Sequence, residues 1–354
     1  MASTTAWTQA REQILQLCRG DADARVLRLE VLAVLRRVIG FDAYVWLVTD
    51  PETSVGSAPL ADVPCLPELP RLIRLKYLTT INRWTSMITP VASLHQATGG
   101  DLARSLVWRE LLCRYQIGDI ATSVHRDRFG CWAFLDLWRS EGASPFAGAE
   151  LEFLQSVAGP LTAALRRSQA AAFAAGRAGK QVSAGPVVLL LSPALDVRAQ
   201  TLQTQRYLRL LIPPDAADQA PVPAGAYNVS AQLLAREAGV DDNPPLARVH
   251  LGNGHWLTLS AARMDSAQPM PERDIAVSIE TTAPGGRVSL FARAFGLSSR
   301  EAELLDHVIT GAGTRDIAHV MFLSEHTVQD HLKSIFAKTA TRTRRTLLAL
   351  VLGT

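Results

Sequence analysis

From Val288 to Thr354 the chain has almost no strand character and reads as four short helices, each with its own start signal. Ser298-x-x-Glu301 is a capping box opening the first, whose inward stripe is Leu304, Leu305, Val308 and Ile309. Gly311 and Gly313 break the chain, and Thr314 is placed to cap a second helix with Ile317, Ala318 and Met321 inward. A turn at Phe322-Leu323 follows, and Ser324 caps the third. A fourth helix, through Leu347, Leu348 and Val351, closes an all-α bundle.

The third helix carries the chemistry. At about 100° per residue, Val328, Leu332, Ile335 and Phe336 fall on one face. The opposite side presents His326, Asp330, Lys333, Ser334 and Ala337, flanked by Thr327 and Gln329. Such a short polar face of mixed charge suits entry into a major groove, where base edges offer donors and acceptors. Asp330 could accept from a cytosine amino group or repel unwanted phosphate contacts, and both remain open at this point. Lys338, Arg342, Arg344 and Arg345 follow, placed for phosphate contact. From Glu325 onward, five basic residues (Lys333, Lys338, Arg342, Arg344, Arg345) against Glu325 and Asp330 leave +3, as large as the net charge of the whole chain.

The run Leu297-Ser298-x-Arg300-Glu301-x-Glu303-x-Leu305, then Gly311-x-Gly313-Thr314-Arg315-Asp316-Ile317-Ala318, continues as Leu323-Ser324-x-x-Thr327-Val328-Gln329-Asp330-His331-Leu332-Lys333-Ser334-Ile335-Phe336-x-Lys338. It resembles the LuxR-type helix-turn-helix, with many fixed positions at fixed spacings. The resemblance implies that Gln329, Asp330 and Lys333 read bases, and that Thr314, Arg315, Ser324, Thr327 and Lys338 hold the DNA backbone, with Arg342 and Arg344 beside them. Two positions depart from the family pattern. Ala340 stands where Gly usually ends the recognition helix, and Thr343-Arg344 replaces Ser-Arg.

Upstream the chain is long enough for two further domains at about 150 residues each. With 48% hydrophobic and 19% charged residues it has material for packed cores, which excludes global disorder. Seams rich in small residues at Ala170–Gly185 and Thr281–Gly286 divide it. The expected domains are 1-175, 186-283 and 288-354, an α+β arrangement followed by the four-helix bundle.

In the first part, the stripe Val26, Leu29, Leu32, Leu35 and Val38 predicts a helix, and Phe41–Asp50 a strand apolar on both faces. Helices are expected over Leu69–Ser93 and Leu102–Tyr115, and paired strands over Ile117–Arg126 and Arg128–Arg139. A long exit helix from about Ala147 follows, with Leu154, Val157, Leu161 and Leu165 in one stripe and a kink at Pro160. Gly40-Phe41-Asp42-Ala43, a strand ending Thr49-Asp50-Pro51, Cys131-Trp132-Ala133-Phe134-Leu135-Asp136-Leu137 and then Pro145-Phe146 carry a resemblance to GAF-type sensor domains. Trp46, Trp84 and Trp132 are the ligand-pocket candidates.

The second part is expected to run strand (Pro186–Leu191), short strand through Val197, and helices at Thr201–Leu211 and Val229–Ala238. Strands at Ala247–Leu251, His255–Arg263 and Asp274–Glu280 follow, with a hairpin turn at Gly252-Asn253-Gly254. That order is similar to a small PAS-type domain.

Cys18, Cys65, Cys113 and Cys131 lie far apart without clustered histidines, so no metal site is expected and no cofactor is predicted. No secretory signal or apolar run of membrane-spanning length stands out, pointing to a cytoplasmic protein. The leading expectation is a one-component transcriptional regulator and not an enzyme. Its partner is double-stranded DNA, its effector is an unknown small molecule, it forms a homodimer, and RNA polymerase is a further candidate partner. The candidate dimer seams are the exit-helix stripe and the last helix at Leu347 and Val351. The N-terminal part lacks the acidic pair and later Thr and Lys of a phosphorelay receiver. An acyl-homoserine-lactone receptor is the alternative. An architectural DNA binder would not need the upstream residues, and a GAF-fold redox enzyme using Cys113 and Cys131 lacks a visible nucleophile–base pair.

Overall fold

The computed structural model describes residues 4–174, 187–210, 223–251 and 255–353. These divide into two compact units. One is Met1–Leu165 with Ser183–Val249 and Leu257–Glu280, and the other is Arg166–Val182 with His250–Trp256 and Thr281–Thr354. The expected turn at Gly252-Asn253-Gly254 lies outside the described residues.

In the first unit, α1 (Thr4–Arg19) and α2 (Ala24–Val38) precede β1 (Ala43–Thr49) and β2 (Gly56–Asp62). Next come α3 (Leu69–Leu78), β3 (Val91–Ser93), α4 (Leu94–Thr98), α5 (Leu106–Glu110), β4 (Ile117–Asp127), β5 (Gly130–Ser140) and the exit helix α6 (Gly148–Ala174), which belongs to this unit as far as Leu165. The five strands form one antiparallel sheet ordered β2-β1-β5-β4-β3. Asp23 caps α2, its carboxylate accepting from the Arg25 and Val26 amides at 2.8 Å each. Gly130 makes the β4–β5 hairpin possible. Any Cβ there would stand 2.3 Å from the Pro51 carbonyl, which instead accepts from the Cys131 amide at 3.1 Å.

Two sequence expectations change here, and one strand is new. The helix foreseen over Leu69–Ser93 stops at Leu78, and Val91–Ser93 pairs with Ser123–Ala121 as edge strand β3. Asn82 at φ 49° is left-handed backbone, incompatible with a continuing helix. Leu102–Tyr115 is not one helix either, because Leu111 (φ −135°, ψ −60°) separates α5 from a 3-10 turn. Strand β2 was hidden by Pro59 and its flanking small residues, which an edge strand tolerates.

The second sheet uses β6 (Val188–Leu191), β7 (Val197–Gln200), β8 (Leu246–His250), β9 (Trp256–Arg263) and β10 (Ile275–Thr281), ordered β7-β6-β10-β9-β8. With strands numbered within each sheet, both have the order 2-1-5-4-3. Between β7 and β8 come α7 (Thr204–Leu210) and α8 (Ala224–Glu237).

Most of the second sheet belongs to the same compact unit as the first. Helix α8 lies on α3 and β2, and its small residues Ala224, Ala226, Ala231 and Ala235 are buried. A buried fork joins the β1–β2 turn to β8. Arg248 donates from Nε to Asp50 Oδ2 at 2.7 Å and from Nη2 to Asp50 Oδ1 at 2.9 Å. The Arg248 amide also reaches Asp50 Oδ2 at 2.9 Å, and Glu52 takes a further guanidinium proton at 2.7 Å. Thr53 Oγ1 donates to the Leu246 carbonyl at 2.6 Å.

In the second unit, α9 (Pro284–Ala294) precedes α10 (Ser299–Ile309), α11 (Thr314–Val320), α12 (Glu325–Thr339) and α13 (Arg344–Leu352). The seam expected at Thr281–Gly286 contains both the boundary between the units, at Thr281, and the start of α9. Pro284 occupies the first turn, where its missing N–H costs nothing, and among the described residues α9 precedes the four expected helices α10 to α13. Phe173, near the end of α6, meets Trp256 (centroids 5.0 Å), Phe291 (5.3 Å) and Phe295 (6.2 Å). Arg287 lies over the Phe173 ring at 5.0 Å and donates to the Val351 carbonyl at 2.5 Å, near the end of α13. A cation there complements the negative end of the helix dipole.

Candidate nucleic-acid interface

The second unit positions α12 through one carboxylate. Ser298 caps α10, its hydroxyl accepting from the Glu301 amide at 3.3 Å, and Glu301 Oε2 accepts from the Ser298 amide at 2.6 Å. The same Glu301 then reaches across to α12. Its Oε1 accepts from Ser334 Oγ at 2.6 Å and its Oε2 from Lys338 Nζ at 2.6 Å. Burial pushes this carboxyl up, but the hydrogen bonds from Lys338, Ser334 and Ser298 outweigh that and hold it at about 2. The capping box was legible in the sequence. The clamp on α12 was not, because nothing in the spacing links Glu301 to residues 33 and 37 positions later.

The turn into the recognition helix is tight. Phe322 adopts φ 55° and is 94% exposed, while the Leu323 amide returns to the Ala318 carbonyl at 2.9 Å. Gly313, not Thr314, is the N-cap of α11. Asp316 Oδ2 accepts from the Gly313 amide at 3.2 Å, and Thr314 is the first helical residue. Ser324 does cap α12, accepting from the Thr327 amide at 3.1 Å. Val328, Leu332 and Ile335 are buried as expected. Phe336 is only half-buried, and Thr339 is the residue enclosed one turn later. Ala340 takes the left-handed C-cap conformation (φ 52°, ψ 31°) without the help of glycine.

The base-reading candidates Gln329, Asp330 and Lys333 all lie exposed on α12. Asp330 is held by its neighbours: Lys333 Nζ donates to Oδ1 at 3.1 Å, and His326 Nε2 lies 3.4 Å from Oδ2. The hydrogen bond from Lys333 holds the Asp330 carboxyl below its usual range.

The backbone candidates separate into two kinds. Arg315 and Arg342 are exposed. The others take part in bonds within the bundle. Arg344 donates to Thr314 Oγ1 at 2.8 Å and to the Ala312 carbonyl at 3.2 Å, and Ser324 and Thr327 share a hydroxyl contact at 2.9 Å. Lys338 is occupied by Glu301.

In the first unit, Trp46, Trp84 and Trp132 are all buried but do not converge. Trp46 pairs with Leu135, so strand alternation places it on the sheet face opposite Phe134, the ring that Trp84 meets. It stacks on His125 at 5.8 Å, where burial lowers the imidazole to about 4. Trp132 Nε1 donates to Asp127 at 2.9 Å. Trp84 stacks on Phe134 at 5.4 Å and donates to Asp136 Oδ1 at 3.0 Å. Thr122 adds a 2.7 Å bond to that oxygen, and Lys76 Nζ sits 2.8 Å from Asp136 Oδ2 and 4.4 Å from the Trp84 ring. Sequence reasoning missed this buried Lys76–Asp136–Trp84 centre. Burial raises the Cys131 thiol.

Both expected dimer seams are spent inside the protomer. Leu154, Val157, Leu161 and Leu165 are at most 3% exposed, and Leu347 and Val351 are fully covered. Among the described residues no helix is long and apolar enough to cross a membrane, and no cluster of three metal-ligating side chains occurs.

A capped helix-turn-helix with a polar exposed face on its second helix defines a DNA-binding domain. Residues 296–351 match the family described as "Bacterial regulatory proteins, luxR family". The C-terminal domain is thus a luxR-family helix-turn-helix. Across the whole chain, the solved structure described as "SdiA in complex with octanoyl-rac-glycerol" is similar at a TM-score of 0.35 and 12% identity, covering 100% of this chain and 97% of that one. No curated protein sequence matches the chain significantly.

Proposed function

We propose that the chain is a one-component transcriptional regulator. Its C-terminal helix-turn-helix binds operator DNA, and its upstream GAF-like and PAS-like modules control that binding. The observation that carries the reading is the state of α12, whose apolar stripe is buried while Gln329, Asp330 and Lys333 stand exposed together. Glu301 holds that helix in place from the other side. The shared 2-1-5-4-3 strand order supports treating the two upstream sheets as modules of one architectural type. A single helix-turn-helix contacts few bases, so the protein acts as a homodimer on paired half-sites. Its dimer surface lies outside the two buried stripes. Footprinting of the full chain on genomic DNA tests the reading. Discrete protected sites with two-fold related half-sites are expected, whereas uniform coverage at all sequences would overturn it.

A further inference from the structure

The recognition helix offers a donor and an acceptor already joined. Lys333 Nζ and Asp330 Oδ1 lie 3.1 Å apart, on side chains that are 70% and 54% exposed. In the major groove each base pair likewise presents a neighbouring donor and acceptor, about 2.9 Å apart because the Watson–Crick hydrogen bond links them. A protein acceptor and donor at this spacing match one base-pair edge.

Each member keeps capacity after making the internal bond. The ammonium has three protons and gives one to Asp330, leaving two. The carboxylate has about four acceptor sites and gives one to Lys333, with His326 Nε2 3.4 Å from its other oxygen.

We propose that Asp330 and Lys333 act as one reader of a single C·G base pair in each operator half-site. Asp330 accepts from cytosine N4, and Lys333 donates to guanine O6 and N7. A T·A pair also offers a donor and an acceptor, adenine N6 and thymine O4. It gives Lys333 one oxygen where guanine gives adjacent O6 and N7, and it sets the thymine methyl beside that oxygen. This inference rests on the operator-binding reading above and adds to it the base pair and the coupling of the two residues.

Selection of binding sites from random-sequence DNA tests it, using the full chain as wild type, Asp330→Ala, Lys333→Ala and the double variant. Both side chains are exposed, so neither single change should disturb the fold, and circular dichroism checks this. Wild type is expected to enrich a C·G pair at one half-site position, where T·A weakens binding roughly tenfold or more. Either single variant should lose that preference while other positions keep theirs. The double variant should then do no worse at that position than the weaker single one. If Asp330→Ala tightened binding to all sequences alike and left every preference intact, Asp330 would be a charge gate and the inference would fail. It would fail equally if the position shared by both residues were T·A. A wild-type chain that enriched no sequence would overturn operator binding itself, a distinguishable result.

Discussion

Glu301 and Lys338 meet at 2.6 Å between α10 and α12, and the same carboxylate closes the cap of α10. Glu301→Gln should cost on the order of 2 kcal/mol in the stability of the C-terminal unit, since a nearly buried charged hydrogen-bond partner is lost. The pH dependence follows from a carboxyl held at about 2 against its usual 4.5. A depressed carboxyl contributes stability that is complete above 4.5 and lost as the pH falls toward 2. The wild-type melting temperature should therefore drop across that window. The Glu301→Gln protein should start lower at neutral pH and change less. Equal slopes for the two would contradict the clamp.

Ala340 should be improvable. An alanine at φ 52° carries a steric cost that glycine avoids, so Ala340→Gly is expected to stabilise the recognition helix by about 1 kcal/mol. A thermal melt reads this as a rise of a few degrees in the C-terminal transition. A fall would mean that the αL cap is not formed in solution.

Asp50→Ala should be severe. It takes the fork partner from Arg248, 6% exposed, leaving Glu52 on the guanidinium, and breaking one side of a buried pair costs about 3–5 kcal/mol. Replacing both by apolar residues of similar volume should recover much of the loss. Equilibrium unfolding of the full chain, monitored with limited proteolysis across residues 187–249, checks both outcomes.

Salt dependence should separate two classes of cation. Arg315→Ala or Arg342→Ala, if each touches one phosphate, should reduce the slope of log K against log salt by about 0.9. Lys338→Ala should act differently, because its charge is shared with Glu301 and its removal loosens α12. Binding titrations over a salt series distinguish them: an unchanged slope with Arg342→Ala would remove that residue from the interface.

What was legible in the sequence was mostly local. Ser298, Ser324 and the Val328–Leu332–Ile335 stripe announce their roles within a few residues, and the β4–β5 hairpin with its turn reads the same way. What stayed hidden depends on distant partners. Glu301 gave no sign of Ser334 and Lys338, nor Asp50 of Arg248, and β3 is a strand only because β4 lies beside it. Leu154 and Leu347 mislead for the opposite reason. An apolar stripe looks the same whether it faces the protomer's own core or a second copy.

Helix α6 is 27 residues long, roughly 40 Å at 1.5 Å per residue, and it runs unbroken through Pro160. It places the Leu154–Leu165 stripe in one core and Phe173 in another. Within the second unit, Phe173 is the ring on which Trp256, Phe291 and Phe295 gather, with the Arg287 guanidinium over its face. A C-terminal fragment cut after Phe173 would therefore keep every helix from α9 to α13 and still lose the centre of its aromatic cluster.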